Sequence, residues 1–404
     1  MTDTRFASAF SLRHDCTLAL REACETLKEG LGGRSPDLLV LFVSPHHAAE
    51  YDELASRVGS MTGARVLVGC AGESVIGGSR ELERTPAISL WAVVCEDLDL
   101  HPFRLMAHPA EGGAPGNEDS IAYPGHLDFS NLPHRPGDSL LLFADPYSFP
   151  VSDYLEKLHR EAPGLPVTGG LASAARQPGE SALFLGGERR NQGAVGVYMR
   201  GGIELTNVIS QAYRPIGRPW VITSASGTLV KKLGGKTAHS VLLNTLNSLP
   251  AEVRASLRMA PMLGVAWDPM RSEFDASDFL AHPIRGIAPQ EEALVLTSQV
   301  RVGQTVQFMI RDPRSAGDDL SQRLQRYGES PPAHPSQAGA LVFTCNGRGS
   351  RMFDEPDHDS SRVQAHLGEG VPMAGFFAGG EIGVLGDRSQ LQGFTASTAV
   401  YRAR

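Results

Sequence analysis

Hydrophobic positions along this chain come in blocks that switch between a helical and a strand period. Residues 15–29 follow the helical one: Cys16, Leu20, Ala23, Cys24 and Leu27 share a stripe, with Arg21, Glu22, Glu25 and Lys28 opposite. The pattern predicts an amphipathic helix that carries both cysteines into a core and stops at Gly30 and the Gly32-Gly33 pair. Residues 38–43 are an unbroken apolar run, as expected of a strand covered on both faces. A helix over about 48–58 and a strand at 65–68 follow, the latter running into Gly-Cys-Ala-Gly-Glu-Ser-Val-Ile-Gly at 69–77. Strands are expected at 87–94 and 98–106, joined by a turn at Glu96 and Asp97. Between 107 and 137 the periodicity fails and Pro, Gly, His and Asn take over; a stretch of that length suits a functional excursion or lid.

The first pattern then returns. Residues 139–144 read as a strand, Ser152 or Asp153 caps a helix through about Glu161, and a strand at 165–168 enters the loop Gly-Gly-Leu-Ala-Ser at 169–173. Strands follow at 181–185, 193–199 and 203–211. Pro215, Gly217 and Pro219 mark 213–220 as a domain boundary, dividing the chain into 1–214 and 215–404. In the second part, 221–230 is strand-like, 227–236 reads as a hairpin and 236–247 as a helix. Strands at 261–267, 293–297 and 305–310, a helix at 318–327 and a Pro-rich linker at 330–335 lead to 340–383. There an apolar strand enters the turn Thr344-Cys-Asn-Gly-Arg-Gly349, and after a short helix a second strand enters Gly375-Phe-Phe-Ala-Gly-Gly-Glu-Ile-Gly383. Residues 393–401 close as a strand.

Strand, helix, strand and Gly-rich loop thus occur together three times, at 38–77, 139–173 and 340–383. The spacing suits right-handed crossovers, and the first two copies read as duplicated halves with strands added at the sheet edges. The fold class is α/β: repeated strand-helix-strand units in mixed sheets, a two-part chain with a cleft lined by Gly-rich loops. In such sheets ligands bind beyond the strand C-termini.

Composition narrows the function. With 404 residues, 41% of them hydrophobic, the chain has room for two or three cores. A net charge of −8 and a pI near 5.9 give no overall basic field, so neither nucleic acid nor an anionic membrane is expected as a partner. No apolar run reaches the roughly 18 residues of a membrane span, and the first residues do not read as a secretory signal. Cys16, Cys24, Cys70, Cys95 and Cys345 are odd in number and form no CxxC, which fits a reducing cytoplasm.

The loops at 69–77, 166–173, 345–349 and 375–383, with Gly393-Phe-Thr-Ala-Ser397, resemble the FIST sensory domain, over roughly residues 35–400 and through both its N-terminal and C-terminal parts. The resemblance implies a cytoplasmic signal-transduction sensor that binds small molecules such as amino acids. No residues are left over for an output domain, so a separate signalling protein is the expected partner. No cofactor is implied.

Candidate site residues cluster near the C-terminus. Arg348, flanked by Gly347 and Gly349, presents a fork suited to a carboxylate or phosphate, or else pairs with Glu381. Glu381 and Glu73 can receive an ammonium or brace their own loops. Backbone N–H groups around Gly347, Gly349 and Gly379, with Asn346, Gly375 and Gly380, complete the expected ligand site. Cys345 is the best nucleophile candidate, since Arg348 nearby favours its thiolate. An enzyme using Cys345 or Glu381 is therefore the alternative reading, and a protein-binding scaffold a third. The run Asp354-Glu-Pro-Asp-His-Asp359 matches no metal-site spacing, and Asp359 or Ser360 reads as a helix cap. Adjacent His46 and His47 flank a loop in solvent or line the cleft. No metal site is expected. The stretch 227–236 lacks the spacing of a phosphate-binding loop.

Overall fold

A computed structural model of the chain describes residues 4–110, 121–256, 261–267, 274, 278–296, 298–327, 332 and 334–404. Parts of the excursion (111–120), of the linker (330, 331 and 333) and of one expected strand (Thr297) lie outside the described residues. The chain forms two compact units, one from Met1–Ser210 with Leu320–Arg404 and one from Gln211–Asp319.

In the larger unit all three copies of the repeated unit are structurally equivalent, so the expected pair of halves becomes a ring of three. Each copy supplies a parallel strand pair: Leu38–Val43 with Val66–Ala71, Ser139–Ala144 with Val167–Leu171, and Ala338–Cys345 with Met373–Ala378. The helices Tyr51–Thr62, Val151–Glu161 and His358–Leu367 form the crossovers. After its second strand each copy leaves its own sheet and lays a hairpin on a neighbour's. The hairpin Val75–Gly77 and Arg80–Leu82 joins the third sheet, Leu183–Leu185 and Glu188–Arg190 the first, and Glu381–Leu385 and Arg388–Gln392 the second. The chain then returns beside its own first strand as Ile88–Val94, Ala194–Arg200 or Thr395–Ala403. A last strand crosses to the next sheet: Asp99–Leu105 to the second and Ile203–Gln211 to the third. In the first sheet the corresponding place is filled by Arg5–Ser11. Of these, only Leu183–Leu185 falls in an expected strand, 181–185; the other hairpin strands and Arg5–Ser11 escape the sequence reading, the shortest because three residues carry too little alternation to register.

Close strand approach holds each copy together. Gly69, Gly169 and Gly375 sit at one register point, opposite Leu41, Leu142 and Val342. A Cβ there would lie 1.9, 1.9 and 1.8 Å from the carbonyl oxygens of those residues. No side chain fits. One residue further along each first strand, Phe42, Phe143 and Phe343 enter a core shared by all three sheets. Their ring centroids lie 5.5, 6.3 and 6.0 Å apart in edge-on geometry. Each such pair adds about 0.5–1.5 kcal/mol beyond its burial. The outer faces are covered by helices: Cys16–Gly30 and Tyr51–Thr62 over the first sheet, Val151–Glu161 over the second, and His358–Leu367 with Leu320 and Leu324 over the third.

The smaller unit is a seven-stranded antiparallel sheet whose first strand, Tyr213–Ser226, pairs both with Thr305–Arg311 and with Leu229–Leu233, closing it on itself. The segment 213–220, expected as a break, is therefore part of a strand. Pro219 is tolerated because the register shifts between Ile216 and Trp220, while Pro215 pairs in register with Met309.

Replacing Gly375 by Ala should destabilise the chain by about 3 kcal/mol or more, at or beyond the upper end for overpacking. Gly59, in the helix Tyr51–Thr62 with nothing near its missing Cβ, should instead tolerate or gain from Ala, by up to about 1 kcal/mol. Denaturant unfolding of the two variants checks both signs.

Candidate functional site

At the C-terminal ends of the parallel strands the loops of all three copies meet. The Glu73 N–H donates to Ser173 Oγ at 2.8 Å, and that hydroxyl donates to the Phe377 carbonyl. Gly379 N–H reaches Leu171 O at 3.0 Å, Phe377 N–H reaches Ser74 O at 2.9 Å, and Asn346 N–H reaches Ala378 O at 3.0 Å. The predicted loops 69–77, 169–173, 345–349 and 375–383 are thus brought together, but packed against one another. A Cβ on Gly347 would lie 2.4 Å from the Phe394 ring, one on Gly349 2.6 Å from Glu83 Oε1, and one on Gly380 3.0 Å from Leu391 Cδ1; Gly379 is looser, at 3.6 Å from Leu171. Gly375 serves strand pairing. Glu73 forms an exposed ion pair with Arg351.

Arg348 is fully buried. Its Nε and Nη2 each donate to Asp359 at 2.7 Å, and Nη1 donates to the Phe394 carbonyl at 3.4 Å. The guanidinium fork is therefore filled by Asp359, with Glu381 only in its electrostatic reach. Burial disfavours the charged carboxylate, yet the Arg348 charge and its two hydrogen bonds hold Asp359 far below the usual range. Thr344 Oγ1 donates to the same carboxylate at 2.6 Å, and His358 Nδ1 lies 2.8 Å from it. Asp359 is thus no helix cap; Asp357 occupies the N-cap position, and Glu81 of the exchanged hairpin accepts from Asp359 N–H at 2.7 Å and Ser360 N–H at 3.1 Å. Burial, then the Asp359 charge, push Glu81 up to about 7.

Glu381 is the anomaly of the core. It lies opposite Gly170, the register point that Val75 and Leu183 occupy in the other two exchanged hairpins, opposite Phe376 and Cys70. A carboxyl group replaces an aliphatic side chain, and it is 0% exposed. Oε2 accepts from Thr395 N–H at 3.0 Å and Thr395 Oγ1 at 2.8 Å, while Oε1 is buried with no hydrogen-bond partner among the described residues. Burial, opposed by the two Thr395 bonds, the Arg348 charge and a weaker contact with the Cys345 thiol, pushes the acid up to about 8. Cys345 lies beside it. Burial first, then the Glu381 charge, push this thiol up to about 12, against the pull of the Gly347 and Phe394 N–H groups and of Arg348. The expected activation by Arg348 fails because burial, reinforced by the Glu381 charge, outweighs its pull.

Phe394 closes the group. Its N–H points to Cys345, its carbonyl accepts from Arg348, and its ring fills the space left by Gly347. It does so at φ 61°, an uncommon conformation for a bulky residue. Phe394, Thr395 and Asp359 are the site residues that sequence reasoning missed; the Gly393-Phe-Thr run reads as the start of a strand and as part of the family resemblance, and Asp359 as a helix cap. A separate cavity of about 390 Å³ lies at the opposite ends of the strands, lined by Asp97, Asp99, Arg135, Asp138, Arg200 and Arg404 among others. Among the described residues no helix is long and apolar enough to cross a membrane.

The fold and this site define a mixed α/β protein of three interlocked copies with a buried acid beside a thiol. The FIST N domain matches residues 37–236 and the FIST C domain residues 238–384, so the chain belongs to the FIST family, whose domains are sensors of signal transduction. It is similar to an uncharacterized protein of Mycobacterium bovis, 34% identical over 387 residues and 96% of each chain. An uncharacterized protein of Mycobacterium tuberculosis is 34% identical over 397 residues, covering 98% of this chain and 99% of the relative.

Two outcomes test this geometry. Glu381 has a folded pKa near 8 against an ordinary 4.5, so it favours the fold fully below pH 4.5 and loses that contribution as pH rises to about 8. The difference in melting temperature between the wild type and Glu381→Gln should therefore fall through that window; a flat difference contradicts the assignment. Arg348→Ala, which strands Asp359 as a buried charge, should destabilise by about 3–5 kcal/mol in denaturant unfolding.

Proposed function

We propose that this chain is a cytoplasmic sensory module that binds a small polar metabolite at Glu381, with amino acids as the first class to consider. The observation that carries the reading is the carboxyl at a core position where the other two copies hold Val75 and Leu183, with Oε1 left unpartnered. Keeping such a group buried costs about 1–3 kcal/mol, and perturbed acids of this type concentrate at functional sites. Glu381 would receive the ligand's ammonium or hydroxyl group, and Asn346, whose Oδ1 is also buried without a partner among the described residues, would supply a second polar contact. Arg348 and Asp359 would hold the loop in place instead of touching the ligand. Displacement of Phe394 from its strained φ would admit the ligand and change the surface read by a separate signalling protein. Membership of the FIST family supports the sensory role, and five buried cysteines without disulfides support a reducing compartment.

A second location is favoured by the 390 Å³ cavity, whose arginines and aspartates suit a zwitterion. Catalysis by Cys345 is disfavoured by a thiol pushed up to about 12. A thermal-shift screen of amino acids and related metabolites separates these readings. A ligand at one hundred times its dissociation constant should add about 2.7 kcal/mol. The shift should vanish in Glu381→Gln and persist in Arg135→Ala. The reverse pattern moves the site to the cavity, and a shift that survives both variants overturns the proposal.

A further inference from the structure

Away from Glu381, a second chemically distinctive cluster lies beneath the helices that cover the first sheet. Cys16 is the first residue of the helix Cys16–Gly30, while His47 and Glu50 belong to the short 3-10 segment Pro45–Glu50 that follows the strand Leu38–Val43. The Cys16 thiol, one His47 ring nitrogen and a Glu50 carboxylate oxygen all lie within 4.8 Å of one another. No hydrogen bond among the described residues joins them. His47, expected to flank a loop in solvent or line the cleft, is 1% exposed, and its Nε2 is buried without a hydrogen-bond partner among the described residues. The backbone at His47 leaves helical geometry, with φ −104° and ψ 22°, while its neighbour His46 stays exposed.

A buried imidazole nitrogen without a partner is destabilising by about 1–3 kcal/mol unless something fills its lone pair or takes its proton. We propose that Cys16, His47 and Glu50 form a binding site for a divalent transition-metal ion, zinc being the ion that best suits sulfur, nitrogen and oxygen donors together. Three protein ligands leave a fourth position for water or another donor, as in open zinc sites. Glu50 is only partly buried and gives the ion a route from solvent.

The surroundings fit a cation. His47 is held toward its neutral, metal-binding form, chiefly by burial; Glu50 and Asp15 oppose this, while His46 and His14 reinforce it. The Cys16 thiol is kept protonated by burial and by the nearby Glu50 and Asp15, against Arg57. Binding would exchange the thiol proton for the metal: the S–H bond breaks, a sulfur–metal bond forms, and the proton leaves to solvent. One thiolate and one carboxylate then neutralise a dication, which removes the repulsion that otherwise opposes ionising Cys16. Placement of the thiol at a helix N-terminus favours the same ionised form.

The three-copy arrangement gives the cluster a counterpart. His47 stands six residues beyond Leu41, as Arg348 stands six beyond Val342, and those two residues oppose the equivalent Gly69 and Gly375. In the third copy that position carries a buried cation paired with Asp359 near the start of a covering helix. In the first copy it carries an imidazole that meets Cys16, also at the start of a covering helix. A bound dication would restore in one copy the positive charge that an arginine supplies in the other.

The test uses the full chain without an affinity tag, stripped of metal and titrated with Co²⁺. A thiolate-to-cobalt charge-transfer band in the near ultraviolet, saturating at one ion per chain and displaced by Zn²⁺, is the expected result. The band should disappear in Cys16→Ser and persist in Cys345→Ser. Its absence from the wild type, or its survival in Cys16→Ser, overturns the proposal. If Cys16→Ser does not fold, Glu50→Gln at the half-buried position decides. Loss of even a supporting partner weakens metal sites about 10–100-fold, so Co²⁺ affinity should drop at least tenfold with unchanged circular dichroism. Unchanged affinity overturns the proposal as well.

Discussion

Close approach of two parallel strands is the constraint on which the larger unit depends. Where Gly69, Gly169 and Gly375 face Leu41, Leu142 and Val342, the carbonyl oxygen occupies the volume of a side chain. Since the strand period is two, the residue after each of those three first-strand positions points to the other face of its sheet. That residue is Phe42, Phe143 or Phe343, and the three rings meet in the shared core. The glycine register and the aromatic triangle are therefore two sides of one arrangement. Shifting any strand by one residue would place a side chain against a carbonyl and withdraw a ring from the centre.

Much of this was legible because it is local. Runs such as Leu38–Val43 and Ser139–Ala144 are apolar throughout, and the glycines after their partner strands recur at matching places. The exchange of hairpins was not legible. Val75–Gly77 and Leu183–Leu185 are three residues long, and nothing in so short a run says which sheet it will join. At the site, sequence pointed to the right loops and to Arg348, Glu381 and Cys345 as chemically notable. It could not show that Asp359, eleven residues on, would take the Arg348 fork, because that pairing is decided by how a helix docks on a sheet. Nor could it show His47 turning inward, since adjacent histidines after a proline carry no burial pattern.

The polar groups at the strand ends divide into two kinds. Arg348, Asp359, Thr344 and His358 satisfy one another, and such a network rigidifies the loop that bears Cys345. Glu381 is only half satisfied, through Thr395. Rigid support beside an unmet hydrogen-bonding group is the combination expected of a recognition site, where the surrounding frame must not relax to quench it. Phe394 connects the two, because its backbone touches both the arginine and the thiol while its ring covers the glycine between them.

Hairpin exchange has a consequence for how the chain can be divided. The second sheet takes its strands Glu381–Leu385 and Arg388–Gln392 from the third copy, and the third sheet takes Val75–Gly77 and Arg80–Leu82 from the first. A cut between the segments that match the FIST N and FIST C domains, near residue 237, would thus strip an edge from one sheet and leave a hairpin of the other without its template. Both fragments would expose unpaired backbone and apolar faces, the features that drive strand-to-strand aggregation. Within the larger unit the parts that the two sequence domains supply are interlaced, closer to links of a chain than to beads on a string.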